Sequence, residues 1–576
     1  MKVKLAKTAG FCMGVRRAME LVLTEANRGK DPLFTFGPLI HNHQVLDLLA
    51  SKGVISVDNL SGLKTGTIVI RAHGIPPHDR KAIKKTGLKI IDATCPKVAR
   101  VQALIRYHTK KGSTAIIVGD EDHPEVRGLV GYSESPVYVI QDVEEVRILP
   151  DLDQVFVVAQ TTQNEQNYRE IVTALQDRFP SLQVFHTICE ATFHRQQEVR
   201  SFAGLVDAIV VVGGFHSGNT LRLAQISKEA NLPTFHVETE KNLDKERLSG
   251  VKIIGVTAGA STPKWMIKNV VSEIEGIRGR KDNAVSHCFK SGFKFLLANN
   301  IGVSIGAFCY AYAIAVFSER TPGLTFPLLT FLYIYAMHVL NRFLDKGASA
   351  YNDPERAIFL KKHRRLLILS GIFAVATALI ISYLIGITTL IALCGLNLLG
   401  IAYSLPLLPE SIRHKYSYYK IKDIPGSRSL SESLAWVAVI AVLPLLEMNS
   451  IYWPSAIISV LIVFSMSYVR STLFDIFDVQ GDLIVGTETL PITIGVKKTL
   501  SLLKIILVVT GVVLAVSPIL GLVGPFSYLI FLSVFSLFLC LLACESRWVH
   551  PGITLEAMVE GNFLLTGLLA LIWQAL

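Results

Sequence analysis

Long apolar segments fill the second half of the chain, between residues 293 and 576, and they limit its fold more strictly than any other feature. A bilayer core about 30 Å thick is crossed by roughly 20 apolar residues in an α-helix, and only helices or closed barrels satisfy their backbone groups there. The segments predict an all-α membrane bundle of about nine transmembrane helices, at 294–317, 323–344, 366–386, 388–408, 430–448, 454–474, 500–523, 527–544 and 556–576.

The loops between these segments differ in charge from one side of the bundle to the other. One set of loops carries many lysines and arginines, including Arg365 and Lys497, whereas the other set carries only Arg320. Lysine and arginine accumulate in cytoplasmic loops. We therefore expect a multi-pass protein of the cell inner membrane, with its N-terminal domain in the cytoplasm and its C-terminus on the outer side. Residues 1–15 lack the apolar core of a secretory signal, as this topology requires.

Residues 1–277 follow a different pattern, in which short apolar runs alternate with amphipathic helical segments. This alternation is typical of βαβ units and of parallel sheets that are covered on both faces. We predict an α/β domain over 1–277, a glycine-rich charged linker over 278–292, and the membrane domain over 293–576. The predicted strands are Thr67–Ile70, Lys89–Ala93, Thr114–Val118, Gln154–Ala159, Leu182–Thr187, Ala208–Val212 and Lys252–Val256.

Three cysteines of the α/β domain share one local design, since each follows an apolar run and precedes a helical segment. They are Cys12, Cys95 and Cys189, one in each third of the domain, and they predict three pseudo-repeated lobes whose thiols converge on a central site. Three thiols leave burial, zinc and an iron–sulfur cluster with one open iron as alternatives. The closely spaced Cys-x-x-Cys pairs of structural zinc sites are absent from this domain, which disfavours zinc.

The predicted strands run into polar loops, and parallel α/β sheets bind ligands beyond the carboxyl ends of their strands. Histidines, hydroxyls, amides and glycines near helix N-termini suit a phosphate or diphosphate. The net charge of +11 suits anionic small molecules or a membrane surface, and no basic stretch with interleaved aromatics indicates nucleic acid. The polar loops lie at 37–42, 71–74, 119–125, 160–162, 213–220 and 257–263.

Residues 1–277 resemble the LytB/IspH family of hydroxymethylbutenyl diphosphate reductases. The resemblance implies a [4Fe–4S] cluster on Cys12, Cys95 and Cys189, an external electron donor such as ferredoxin or flavodoxin, and isopentenyl and dimethylallyl diphosphates as products. The segments that carry it are 9–15, 71–74, 93–96, 122–126, 160–162 and 257–261, together with Ile188, Cys189, Ala191, Thr192, Arg195 and Gln196.

The same resemblance implies roles for individual side chains. Glu125 matches the family's proton donor, and Thr162 matches a residue close to the substrate hydroxyl. Gly218 stands where the family usually has a serine, so we expect weaker phosphate binding with retained chemistry. The positions that match the diphosphate-binding residues are His41, His73, His123, Ser217, Gly218, Asn219 and Ser261.

Three acidic residues of the membrane half, Asp475, Asp478 and Asp482, are spaced at i, i+3 and i+7. If one helix contains them, they fall within about 60° of arc, where like charges repel unless a cation joins them. Oxygen ligands of this kind favour Mg²⁺, which commonly bridges to substrate phosphates. The alternative is a set of ordinary loop acids at a membrane border.

Residues 293–576 resemble the UbiA prenyltransferase superfamily, through the acidic segment 475–482, residues 486–491, the segment 403–406 and the nine helices. The resemblance implies Mg²⁺-dependent prenyl transfer from a prenyl diphosphate to an acceptor in the membrane. The first acidic motif spans 341–349, where Arg342 and Ser349 replace two acids. The implied magnesium ligands are Asn341, Asp345, Asp475, Asp478 and Asp482.

Both resemblances together predict a bifunctional isoprenoid enzyme that acts on prenyl diphosphates, which are small molecules, and contacts membrane lipids. The alternative is an active reductase tethered by a non-catalytic UbiA-like anchor. A transporter is the third possibility. It would place polar residues at mid-membrane, whereas the acidic residues here gather at one edge.

Overall fold

The chain divides into two units, Met1–Asp282 and Asn283–Leu576. The computed structural model describes residues 2–29, 31–277, 299–321, 323–344, 351–352, 354–404, 421, 424–546 and 553–576. The predicted linker over 278–292 and the predicted ligand Asp345 lie outside the described residues. The domain boundaries at 277 and 293 therefore stay predictions.

Three parallel four-stranded sheets form the described part of the first unit, with strand orders β1-β12-β10-β11, β3-β2-β4-β5 and β7-β6-β8-β9. The prediction of an α/β fold with three parallel-sheet lobes is confirmed. The strands are β1 Lys2–Leu5, β2 Leu33–Phe36, β3 Val54–Val57, β4 Thr67–Ile70, β5 Lys89–Asp92, β6 Thr114–Val118, β7 Val137–Ile140, β8 Val155–Ala159, β9 Gln183–Val184, β10 Ala208–Val212, β11 Thr234–Val237 and β12 Ile253–Ala258.

The three sheets repeat one arrangement, in which an edge strand leads into a cysteine and its neighbour leads into a polar loop. The edge strands are β1, β5 and β9, and their neighbours are β12, β4 and β8. The lobes do not follow the thirds of the sequence, because β1 pairs with β12, with Lys2 opposite Ile253. Cys12 consequently belongs to the lobe that the last strands of the unit build.

Helices cover both faces of these sheets, because the middle strands are apolar on both sides. All five residues of β10 and all five of β8 are buried. The helices are α1 Met13–Arg28, α2 His43–Ser51, α3 Pro77–Lys85, α4 Pro96–Thr109, α5 Pro124–Val130, α6 Val143–Val146, α7 Glu165–Arg178, α8 Glu190–Ser201, α9 Gly218–Glu229, α10 Lys245–Leu248 and α11 Lys264–Gly276, with a 3₁₀ turn at Glu240–Asn242.

The described part of the second unit is entirely helical, as predicted, and a helix lies at each of the nine predicted membrane positions. Six of its helices are long and apolar enough to cross a membrane, and two shorter ones are apolar. The helices are α12 Ile301–Phe317, α13 Thr325–Leu344, α14 Pro354–Lys362, α15 Arg364–Ile385, α16 Ile387–Ser404, α17 Ser427–Val437, α18 Trp453–Val485, α19 Leu490–Ile494, α20 Val496–Val516, α21 Ser527–Glu545 and α22 Ile553–Ala575. A π turn at Ala438–Val442 and a 3₁₀ turn at Leu443–Glu447 extend α17.

Helix α18 differs from the predicted span 454–474, because it continues to Val485 and has 33 residues. It ends at Gly486, whose φ of 88° lies in the left-handed region that glycine adopts without a steric penalty. Asp475, Asp478 and Asp482 therefore share one helix, the condition on which their predicted proximity depended.

Candidate functional site

Each of the three cysteines lies at the N-cap of a helix, Cys12 before α1, Cys95 before α4 and Cys189 before α8. A helix N-terminus carries partial positive charge, which favours a thiolate over a thiol. The backbone N–H of each cysteine donates to a carbonyl in the polar loop after the neighbouring strand, and the three acceptors are Ala260, Ala72 and Thr161. Each lobe thus presents one thiol by the same hydrogen bond.

The sulfur atoms of Cys95 and Cys12 approach each other across Gly14. A Cβ atom at Gly14 would lie 2.6 Å from Cys95 Sγ and 3.9 Å from Cys12 Sγ. Burial raises the pKa of the Cys95 thiol, the N–H groups of Lys97 and Val98 lower it, and the nearby sulfurs of Cys12 and Cys189 raise it again. The three sulfurs are close enough for the charge of one to shift the pKa of another, and Gly14 leaves the space beside them free of a side chain. This arrangement fits an iron–sulfur cluster.

Glu125 lies beside the third cysteine, because both contact Thr161. Its carboxylate accepts hydrogen bonds from the N–H of Thr161 at 2.7 Å and from its hydroxyl at 2.9 Å, and the carbonyl of Thr161 accepts from Cys189 N–H. Burial raises the pKa of Glu125 to about 7, although the two hydrogen bonds lower it. Glu125 can therefore hold a proton near neutral pH. Thr162 follows directly, and its hydroxyl accepts from Gln160 Nε2 at 3.0 Å.

Three histidines from three loops meet at the carboxyl edge of the sheets. One ring nitrogen from each of His41, His73 and His123 lies within 4.8 Å of those of the other two. His123 Nδ1 accepts from Glu125 N–H at 3.1 Å, so the neutral ring carries its proton on Nε2. Burial lowers the pKa of all three rings, that of His123 to about 4. An anion placed between them would raise these pKa values again, because it favours the imidazolium form.

The remaining predicted diphosphate residues surround the same histidines. Ser261 Oγ donates to the carbonyl of His41 at 3.1 Å and lies 3.5 Å from Ser217 Oγ. Among the described residues, no hydrogen-bond partner reaches His41 Nε2, His73 Nδ1 or Asn219 Nδ2, all of which are buried. Buried polar atoms normally have partners, and three unpaired atoms in one pocket fit a polyanionic ligand such as a diphosphate.

The acidic cluster of the second unit lies on the last turns of α18. The side chains of Asp475 and Asp482 are buried, and both approach Arg428, at 3.9 and 3.7 Å. Asn352 Nδ2 donates to Asp482 Oδ1 at 3.3 Å, and Ser429 donates to Asp475. Within the described part of the chain, Asp482 Oδ2 has no hydrogen-bond partner, so a ligand position remains on a buried carboxylate.

The cluster contains a cation, Arg428, in addition to the predicted magnesium ligands. Asn341 lies in the last turn of α13, and its place among the magnesium ligands stays a prediction. Arg428 lies in the first turn of α17, where the helix dipole disfavours a positive charge. That unfavourable position requires a nearby anion, but the predicted span 430–448 placed Arg428 outside the helix.

A second group of charges lies one to two turns from Asp475, and in it Arg470 and Glu560 are buried and Glu432 is half-buried. Arg470 forms ion pairs with Glu560 at 2.7 Å and with Glu432 at 2.6 Å, and Ser471 Oγ donates to Glu432 at 2.6 Å. Because Arg470 and Asp475 are five residues apart on one helix, they are separated by about 7.5 Å along its axis. These charges join α18 to α17 and to α22 near the acidic edge of the bundle.

Comparison with known proteins assigns a family to each half. The LytB protein family matches residues 3–275, and the UbiA prenyltransferase family matches residues 302–551. A 4-hydroxy-3-methylbut-2-enyl diphosphate reductase of Citrifermentans bemidjiense is 46% identical over 278 residues, which are 48% of this chain and 98% of that protein. The chain therefore belongs to the LytB family through its first half, and its second half is UbiA-like, as both resemblances predicted.

Two solved structures are similar to one half each. An (E)-4-hydroxy-3-methyl-but-2-enyl diphosphate reductase is 40% identical, covers 48% of this chain and 100% of its own, and has a TM-score of 0.39. A UbiA homolog from Archaeoglobus fulgidus, solved with GPP and Mg²⁺, is 16% identical, covers 48% of this chain and 99% of its own, and has a TM-score of 0.36.

The first prediction concerns the gap at Gly14. We expect Gly14→Ala to lose most of its iron after anaerobic reconstitution, because the added Cβ would lie 2.6 Å from Cys95 Sγ and displace that sulfur. Iron and sulfide content per chain measure this loss. Gly250→Ala is the control, since no described atom lies within 4 Å of a Cβ added there. Equal iron in the two variants would show that the sulfur positions do not depend on Gly14.

The second prediction concerns the missing hydroxyl at Gly218. A Cβ there would lie 3.8 Å from His123 Nε2, an ordinary contact, so a serine fits without displacing the ring. A hydrogen bond to a charged phosphate corresponds to a change in KM of about tenfold. We expect Gly218→Ser to lower KM by that factor and to leave kcat unchanged. Gly218→Ala, which adds the Cβ without the hydroxyl, should have the wild-type KM; a serine variant that behaves like it would contradict the prediction.

Proposed function

We propose that the first unit is a 4-hydroxy-3-methylbut-2-enyl diphosphate reductase. The observation that carries this proposal is the convergence of three N-cap cysteines with a pocket of unpaired histidine and asparagine nitrogens. Cys12, Cys95 and Cys189 would hold a [4Fe–4S] cluster. When bound, the cluster would supply electrons from an external donor such as ferredoxin or flavodoxin and offer an open iron as a Lewis acid.

The side chains of this unit then divide the remaining tasks between them. His41, His73 and His123, with Ser217, Asn219, Ser261 and the N–H of Gly218, would bind and orient the diphosphate. Glu125, protonated near neutral pH, would donate a proton to the departing hydroxyl, and Thr162 would hold that hydroxyl in place. The substrate takes up two electrons and two protons, loses water, and leaves as isopentenyl or dimethylallyl diphosphate.

The third prediction is a pH dependence that Glu125 sets. Its pKa of about 7 means that the donating, protonated form decreases as pH rises through 7, so kcat should fall on the basic side of that value. We expect Glu125→Gln to lower kcat by about 10² to 10⁴-fold, with its iron content unchanged. Anaerobic turnover of 4-hydroxy-3-methylbut-2-enyl diphosphate with a strong small reductant measures both effects.

Glu121→Gln, which changes an exposed carboxylate of the same loop, is the control and should keep the wild-type profile. Wild-type protein that holds iron but does not consume the substrate would contradict the reductase proposal. If a partly active Glu125→Asp variant lost kcat over the same pH range as the wild type, Glu125 would not be the group that sets the pH dependence.

We propose that the second unit transfers a prenyl group from a prenyl diphosphate to an acceptor in the membrane, with Mg²⁺ on Asp475, Asp478 and Asp482. The buried, unpaired Asp482 Oδ2 is the observation that supports a cation there. The three carboxylates carry a charge of −3, and the guanidinium of Arg428, which approaches Asp475 and Asp482, reduces it to −2. One Mg²⁺ balances this remaining charge. A non-catalytic anchor is less favoured, because lipid attachment requires no such cation site.

The apolar helices and the charge of the loops between them support a proposal for the location of the protein. We infer that the second unit spans the cell inner membrane, with the first unit in the cytoplasm and the C-terminus on the outer side, because lysine and arginine gather in the loops of one side.

The fourth prediction tests the magnesium site. We expect one Mn²⁺, used as a spectroscopic substitute for Mg²⁺, to bind per chain, and Mg²⁺-dependent diphosphate release from labelled prenyl diphosphates in membranes. Asp475→Asn should lose both, because it removes one charge from the buried cluster and leaves the helix intact. Electron paramagnetic resonance counts the bound Mn²⁺.

Glu545→Gln, at an exposed ion pair with Lys504, is the matched control. Retention of Mn²⁺ by Asp475→Asn, or two Mn²⁺ in the wild type, would contradict this account of the cluster. Absence of diphosphate release with every donor and acceptor would favour the anchor.

A further inference from the structure

Arg195 is an arginine buried in the protein interior, with 4% of its surface exposed. It lies on the second turn of α8, six residues after Cys189. Its Nη2 donates to the carbonyl of Gly10 at 2.6 Å, and its Nη1 donates to the carbonyl of Ala191 at 3.1 Å. Within the described part of the chain, its Nε reaches no hydrogen-bond partner. Both bonds are to neutral carbonyls, so neither balances the charge.

No carboxylate of the described residues forms an ion pair with Arg195. Glu198, on the same helix, is engaged elsewhere, because it accepts from the N–H groups of Lys7 and Thr8 at 2.6 and 2.9 Å. Arg222, a half-buried arginine of this unit, pairs with Asp120 at 3.1 Å. An isolated buried cation strongly opposes folding, so the position of Arg195 calls for an anion beside it.

Three groups near Arg195 can carry negative charge, namely Cys12, Cys189 and Glu198, and the carboxylate of Glu198 is bound by other groups. Cys12 follows Gly10 by two residues, and Cys189 caps the helix on which Arg195 lies. Burial lowers the pKa of Arg195, whereas negative charge on Cys12, on Cys189 and, to the smallest extent, on Glu198 raises it. These sulfurs become thiolates when they ligate iron, and the arginine then has its counter-charge.

We infer that Arg195 is the counter-cation of the cluster and that it ties the segment of Cys12 to the helix of Cys189. This inference rests on the proposed reductase function, since it requires a cluster on these cysteines. A fixed positive charge favours the reduced, more negative state of the cluster, because net charge nearby is one determinant of its reduction potential. Arg195 is therefore a positioning residue that also eases electron uptake.

The test compares Arg195→Gln and Arg195→Lys with wild-type full-length protein, reconstituted anaerobically. Iron content is measured first, and the midpoint potential is then followed by visible absorbance and electron paramagnetic resonance. We expect the potential of Arg195→Gln to shift to more negative values, whereas Arg195→Lys, which keeps the charge, stays close to wild type. Arg200→Gln, five residues further along the same helix, removes the same charge and should leave the potential unchanged.

Equal potentials in Arg195→Gln and Arg200→Gln would overturn the inference, and the reductase proposal would survive. If Arg195→Gln takes up no iron, the lysine variant decides between the two readings. Iron in Arg195→Lys would support the need for a positive charge. No iron in either variant would overturn the inference in favour of a purely structural role. Wild-type protein without iron would overturn both the inference and the reductase proposal.

Discussion

The hydrogen bond between each cysteine N–H and the loop after the neighbouring strand is the interaction on which the first unit depends. It is possible because all strands are parallel, so the carboxyl ends of adjacent strands reach the same edge of the sheet. Ala260, Ala72 and Thr161 accept these bonds in the three lobes. The thiol, the next polar loop and the helix that starts at the cysteine are thereby fixed together, and the anion-binding and acid groups occupy the adjoining strand ends.

Much of this arrangement could be predicted from the sequence, and the misses have physical causes. Strands β4, β6, β8 and β10 could be predicted from their apolar runs, because buried parallel strands are apolar on both faces. Strand β1 alternates lysine with apolar residues and pairs with β12, so its place depended on a contact between opposite ends of the unit. The strand expected at 182–187 has only two residues, and at Ala159 the hydroxyl of Thr187 takes the place of a strand backbone as donor and acceptor.

The candidate sites divide in the same way. The sequence indicated the cysteines, the histidines and the three aspartates, since their spacing or their place after a strand was informative. It could not indicate the pairings of Arg428, Arg470 and Arg195, because each depends on side chains distant in the sequence. In the bundle, Arg470 and Glu560 are buried and Glu432 is half-buried, and these charges must lie close together because a single unpaired charge there is strongly unfavourable.

The distribution of Cys12, Cys95 and Cys189 over three lobes has a consequence for how the first unit unfolds. A cofactor ligated by all three would act as a covalent crosslink that closes two long loops of chain, and closing long loops removes much of the entropy of the unfolded state. The cofactor would then stabilise the folded state in addition to its part in the reaction. Oxidative loss of it would loosen all three lobes in one step and leave the chain open to proteolysis.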